Sequence, residues 1–309
     1  MLRELLNVSP YIWMSDVESH FIPKYTRNVA GYGDLAQRAA FQRLTDDLRK
    51  ARAFWQWEHR GVHVDTDAWY AACRRHDWPG VIEGLFHCVH QAEIAIPPQP
   101  WGEIVWGDKT PVYMGEVTLL AELFPAARFI HLVRDPRDCC LSSEDAWGNS
   151  ILRTAHEWAS RVRACRAGGL PLGSDRFREL RYEDLIGDVS GTLGQLFDFL
   201  GVPTPADAGR FLRVPENLGA AKGADRVVAT NKQKWKTKMD PRVRRQIEGL
   251  TGDLLDAYGY EREHPALPTR ALSGAQLMGY RLRDAWLQLQ FRRRELGSWT
   301  AAVRFLRAR

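Results

Sequence analysis

The 309-residue chain contains no apolar run approaching the ~18 residues that a membrane-crossing helix needs. Cysteine is scarce. The five present (Cys73, Cys88, Cys139, Cys140 and Cys165) are odd in number and form no CxxC pair. This argues against a disulfide scaffold and a cysteine zinc site, and for a reducing, cytoplasmic compartment. No GxxxxGK[ST] loop is present, so a Walker-type phosphoryl-transfer enzyme is not expected. There is no internal repeat, no low-complexity segment and no charged leader followed by an apolar run. Histidine spacing gives no metal site either. Gly61 interrupts His59 and His63, and His87 and His90 lack a third ligand.

What remains is ordinary globular composition, 45% hydrophobic, 26% charged and 11% aromatic. The net charge of +5 is uneven. Residues 265–309 carry nine arginines against Asp284 and Glu295, a local +7, which leaves −2 for residues 1–264. A nearly neutral body with a basic tail does not fit a nucleic-acid-coated protein. The expected organisation is a body over residues 1–264, with a helical, aromatic-rich cap at 34–100, followed by the tail at 265–309. Residues 55–106 hold six tryptophans, Trp55, Trp57, Trp69, Trp78, Trp101 and Trp106. They could pack the cap or cover a substrate.

Residues 1–6 read as helix. Residues 34–54 are strong helix formers with apolar residues at helical spacing, and Asp34 is a plausible cap. Helices are also expected at 66–76 and 79–95. From about residue 103 the pattern changes to strand–helix alternation. Strands are predicted at 103–106, 128–134 and 177–182, and helices at 114–124, from 135, at 151–167, 190–200 and 241–258. Such alternation implies an α/β fold with a mainly parallel sheet covered by helices. In the tail, Met278, Leu282, Trp286 and Leu289 share one helical face, and Leu296, Trp299, Val303 and Leu306 repeat the spacing. Such a basic amphipathic helix can lie peripherally on an anionic membrane, or pack on its own domain or on a second subunit of a homodimer.

The chemistry concentrates at Phe129-Ile-His-Leu-Val-Arg-Asp-Pro-Arg-Asp-Cys-Cys-Leu-Ser-Ser143. An apolar strand delivers Arg134 at its C-terminal end, where open α/β sheets bind ligands. A helix opens at Asp135-Pro136, with its N–H groups expected to be exposed, and Ser142 lies two turns into it. A guanidinium and a hydroxyl around one helix end suit a phosphate. The alternative is an ordinary ion pair of Arg134 with Asp135 or Asp138.

This stretch resembles the phosphosulfate-binding motif of the PAPS-dependent sulfotransferases, in which the Arg and the Ser hold the 3′-phosphate of 3′-phosphoadenosine-5′-phosphosulfate (PAPS). Gly107-Asp-Lys-Thr-Pro111, Leu180-Arg-Tyr-Glu-Asp-Leu185, Phe199-Leu-Gly-Val-Pro203 and Asn231-Lys-Gln-Lys-Trp235 continue the resemblance in the family's order. The nearest likeness is to bacterial members similar to tyrosylprotein sulfotransferases. The resemblance implies a three-layer P-loop nucleotide-binding-like fold and PAPS as co-substrate, with no metal. It places Arg134, Ser142, Tyr182, Lys234 and Trp235 at the nucleotide. Lys109 would stabilise the transition state. Glu18 is the first candidate base, His20 the second and Asp16 a distant third. Gln233 departs from the family, which has Ser before Lys-Trp. The family's opening strand and its "PRSGTT"-like loop for the 5′-phosphosulfate have no match in this sequence. The expectation is therefore either a natural protein extended upstream of Met1 or a truncated homologue that binds nucleotide or a partner without turnover. The implied acceptor is a hydroxyl or amine of unspecified class: tyrosine peptide, glycan, lipid or small molecule.

Overall fold

The computed structural model describes residues 1–94, 99–205 and 227–299. The expectations for Val303 and Leu306 lie outside the described residues. Helix α1 (Leu2–Leu6) leads to strand β1 (Ile12–Met14). Helices α2 (Ile22–Thr26), α3 (Arg38–Leu48), α4 (Arg52–Glu58), α5 (Thr66–Ala72) and α6 (Trp78–Glu93) follow. Then come β2 (Val105–Gly107), α7 (Val117–Leu123), β3 (Phe129–Val133), α8 (Pro136–Trp147) and α9 (Ile151–Gly169). The remainder is β4 (Phe177–Arg181), α10 (Tyr182–Gly187), α11 (Val189–Leu200), α12 (Trp235–Lys238), α13 (Pro241–Ala257) and α14 (Gly274–Leu296).

The fold is mixed α/β, mostly helical, with short strands. Among the described residues the strands form two pairs, β1 with β2 and β3 with β4. The first pair is parallel, with Ile12 opposite Val105 and Met14 opposite Gly107. Strand β1 was not expected from the sequence, because three apolar residues between a helix and a loop carry too little periodicity to be recognised. The expected helix 34–54 is two helices. Ala51 is extended (φ −72°, ψ 146°) and starts a new helix at Arg52. Asp34 does not cap α3. Its carboxylate accepts the Ala36 N–H in the preceding turn.

The chain divides into two compact units. The first comprises Met1–Ile130, Cys165–Arg178 and the described residues from Val189. The second comprises His131–Ala164, Glu179–Asp188 and the described residues after 226.

The core of the first unit is aromatic. Phe41, Leu44, Leu48, Trp57, Trp69, Ile82 and Phe86 are fully buried. The buried indole N–H groups of Trp57, Trp69 and Trp78 each find a partner. Trp69 donates to the Val81 carbonyl at 2.7 Å, Trp78 to Thr26 Oγ1 at 2.9 Å and Trp57 to Ser15 Oγ at 3.0 Å. Trp57, Trp69 and Trp78 are therefore packing residues, whereas Trp55 is exposed. Helix α6 begins where Asp77 accepts the Gly80 N–H, with proline in the first turn where its missing N–H is harmless.

The second unit is built around a buried guanidinium. Arg137 makes a fork of hydrogen bonds to Asp135 (3.0 and 2.8 Å) and a third to Glu248 Oε1 (3.0 Å). It also donates to the Glu261 carbonyl at 2.8 Å, and its plane lies 3.6 Å from the Trp235 ring. A charge buried this fully is tolerable only because two carboxylates face it and each guanidinium nitrogen has an acceptor. Around it pack Cys140, Ala155, Trp235, Met239 and Ile247.

Candidate active site

In the first unit the segment after β1 alternates strictly. Ser15, Val17, Ser19 and Phe21 point inward, while Asp16, Glu18 and His20 point outward. Asp16, Glu18 and His20 are therefore the less buried side chains of the segment. The inward residues fix the segment. Ser15 donates to Glu93 Oε1 at 2.9 Å. Ser19 Oγ donates to Asp108 Oδ2 at 2.5 Å and lies 2.7 Å from Tyr113 Oη, and its N–H donates to Thr110 Oγ1 at 3.1 Å. Burial raises the Asp108 carboxyl above its ordinary range, although the bonds from Ser19 and Thr110 pull the other way.

Asp108 therefore holds the 107–113 loop to the 15–22 segment and does not pair with its neighbour Lys109. Lys109 instead forms an ion pair with Glu18. His20 Nε2 lies 3.0 Å from the other Glu18 oxygen. Asp16 pairs elsewhere, with Arg60. The structure thus brings together Glu18, His20 and Lys109, and leaves Asp16 apart from them. His20 has φ +56°, a left-handed value that costs a side-chain-bearing residue about 1–3 kcal/mol. An exposed ion pair such as Glu18–Lys109 contributes only ~0–1 kcal/mol to stability, so a substrate can displace it cheaply.

In the second unit β3 ends at Val133 and presents Arg134. Its guanidinium reaches Ser142 Oγ at 3.4 Å, the Asn231 carbonyl at 3.1 Å and Asn231 Oδ1 at 3.4 Å. It sits 4.7 Å over the Tyr182 ring, and Asn231 Nδ2 donates to Tyr182 Oη at 2.9 Å. Arg134 and Asp138 are 4.0 Å apart, a loose approach, and the nearer Asp138 oxygen has no hydrogen-bond partner among the described residues. Asp135 pairs with Arg137, not with Arg134.

The expected exposed N-terminus of α8 is not found. Asp135 accepts the Arg137 N–H, and Asp135, Arg137 and Asp138 are all buried. The Asp135 carboxylate thus meets the Arg137 N–H at the start of the helix.

Lys234 is half-buried beside this group. Its ammonium is held below the usual lysine range, first by burial and then by repulsion from Arg134 and Lys238. Gln233, at φ +56°, makes the turn that presents Lys234. The Trp235 N–H donates to Asp138 Oδ1 at 3.0 Å, and the indole is a core residue stacked on Arg137. Sequence reasoning quoted Asn231 only as part of a motif. Its bridging of Arg134 and Tyr182 depends on contacts 97 and 49 residues away along the chain.

One trio has metal-ligand proximity among the described residues: Glu248, Glu263 and His264. Glu248 is already engaged. Its oxygens accept from Arg137 and from the Glu263 and His264 N–H groups. Glu263 pairs with Arg244. The trio is a structural knot.

Solved structures with a similar fold define the class. A sulfotransferase domain from the curacin biosynthetic pathway superimposes with TM-score 0.51 at 17% identity, covering 84% of this chain and 93% of that domain. A sulfotransferase domain from the Synechococcus PCC 7002 olefin synthase gives TM-score 0.52 at 20% identity, with 84% and 90% covered. The fold is thus the P-loop-like α/β fold of these domains. The sequence supplies the family. The model for the Sulfotransferase family matches residues 1–206, and the chain belongs to that family. It is 30% identical over 175 residues to an omega-hydroxy-beta-dihydromenaquinone-9 sulfotransferase of Mycobacterium bovis, spanning 51% of this chain and 42% of that protein. It is also 30% identical over 176 residues to carbohydrate sulfotransferase 5 of Mus musculus, spanning 47% and 45%. The chain matches less than half the length of these relatives.

Proposed function

We propose that this protein transfers a sulfuryl group from PAPS to an acceptor hydroxyl or amine. The observation that carries this reading is the Arg134 cluster. One guanidinium is held by Ser142, Asn231 and Tyr182, with a second cation, Lys234, pressed close enough to be destabilised by it. Crowded, partly desolvated cations are relieved by an anion, and the Tyr182 ring beside them offers a face for a base. In this reading Arg134 and Ser142 hold the 3′-phosphate, Lys234 adds charge, and Tyr182 contacts the adenine side. Trp235 acts indirectly, by fixing the loop that carries Lys234.

The first unit supplies the proton chemistry. Glu18 accepts the proton of the acceptor. The acceptor oxygen or nitrogen bonds to sulfur as the sulfur–oxygen bond to the phosphate breaks, and that electron pair leaves on 3′-phosphoadenosine-5′-phosphate (PAP). Once Glu18 is protonated, the ammonium of Lys109 loses its counter-charge and is free to stabilise the negative charge that develops. The relatives named for a hydroxylated menaquinone and for carbohydrate support a hydroxyl acceptor for this chain.

Calorimetric titration with PAP tests the nucleotide site. Arg134→Ala is expected to weaken PAP about ten- to a hundredfold, the loss of charge-assisted hydrogen bonds. Equal affinity in the variant overturns the assignment. Transfer of label from PAPS onto alcohol, glycan and tyrosine-peptide acceptors tests turnover. PAP affinity with no transfer to any of them would assign the chain a binding role.

A further inference from the structure

Helix α14 is anchored by the opposite of what an amphipathic helix normally buries. Asp284 is its most buried described residue. It accepts the Ser150 N–H at 2.9 Å and a hydrogen bond from Arg153 Nη1 at 2.6 Å. Leu277, Tyr280 and Leu287 are half-buried on the same side. At about 100° per residue, Leu282 and Trp286 lie roughly opposite Asp284. These residues face solvent. Met278 is 55% exposed, Leu282 67% and Trp286 55%. Trp299, 38% exposed, joins the patch with its ring 5.9 Å from that of Trp286. Exposed Arg281 and Arg283 flank Leu282 on either side, and Arg293 stacks at 4.5 Å on Trp299.

We propose that this face of α14 docks the protein on an anionic lipid bilayer. The charge of the tail selects the occupant. The segment 265–309 carries +7, and arginines border the apolar stripe. A second copy meeting this face about a two-fold axis would oppose like patches, arginine against arginine. Anionic headgroups match the arginines while the apolar side chains and the tryptophans enter the interface. The buried Asp284–Arg153 pair fixes the rotation of the helix, so the face is turned outward before any membrane is met. The inference is independent of the reaction proposed above, because vesicle binding is read without turnover.

The test is co-sedimentation of the full chain with vesicles of phosphatidylcholine alone and of phosphatidylcholine mixed equally with phosphatidylglycerol. Binding is expected only to the anionic vesicles, and to weaken with added salt. Leu282→Ser combined with Trp286→Ser should lose at least tenfold in affinity with an unchanged melting temperature, since both side chains are exposed. Arg281→Gln and Arg283→Gln should each lose about fivefold, the effect of one surface arginine near anionic lipid. Equal sedimentation with both vesicle types, or with wild type and the serine variant, overturns the proposal. Loss of vesicle binding in favour of a concentration-dependent dimer that the serine variant abolishes would also overturn it, and would assign the face to a second copy.

Discussion

Glu18 has two partners and one of them is a cation. That sets what its substitution should do. Glu18→Gln keeps the shape and removes the charge and the basicity. Under the proposed reaction it should lower kcat about a hundred- to ten-thousandfold and leave PAP affinity unchanged, since the nucleotide-binding residues lie in the second unit. Initial-rate kinetics with labelled PAPS, paired with PAP titration, separates the two effects. Equal kcat in the variant moves the base to His20. At this scale the residue types of the site were legible. Arg134, Ser142 and Tyr182 could be named from spacing and resemblance, and the structure brings them together. Asn231 could not be assigned a role, because nothing local marks an asparagine that closes a contact across the chain. Glu18 with Lys109 was legible only as two separate candidates, and Asp108, the neighbour of Lys109 in sequence, is used by Ser19.

Among the elements, the segment 15–22 and the loop 107–113 depend on one half-buried carboxyl. Asp108 has a carboxyl raised above its ordinary 3.8 by burial. The folded state therefore holds its proton at pH values where the unfolded chain has released it. The associated stability is complete below 3.8 and is lost as pH rises through the folded value. Wild type should accordingly lose stability relative to Asp108→Asn as pH rises from below 3.8 towards neutrality, measured by thermal unfolding across that range. Parallel curves would mean that Ser19 and Thr110 compensate for burial fully. Elements with strong patterning were read well. The expected 79–95, 128–134, 190–200 and 241–258 correspond to α6, β3, α11 and α13 within two residues at each end. The exceptions were short or interrupted. A strand of three residues and a helix broken at Ala51 are decided by what they pack against. The capped start of α8 failed for a related reason. Proline at its first turn was readable, but Asp135 filling the helix end was not.

For the molecule as a whole, division into two units gives nucleotide binding a regional signature. PAP at 100 times its Kd should stabilise the state that binds it by about 2.7 kcal/mol. Hydrogen exchange read by mass spectrometry should show that protection in α8 and in 231–238, where Arg134, Ser142 and Lys234 are anchored. Protection confined to the first unit would contradict the assignment. By itself the sequence determined the local pattern: an Arg–Ser pair on a strand–helix junction and a basic tail on a nearly neutral body. These follow from residue identity and short-range periodicity, which the chain carries locally. Tertiary structure alone decided which charges pair. Glu18 took Lys109 because Asp108 was drawn inward, and Arg134 turned to Ser142 and Asn231 because Arg137 claimed Asp135. It also decided that α14 turns its apolar face outward, because Asp284 is held by Arg153. Pairing is a competition among groups distant in sequence, settled by burial and geometry that exist only once the chain has folded.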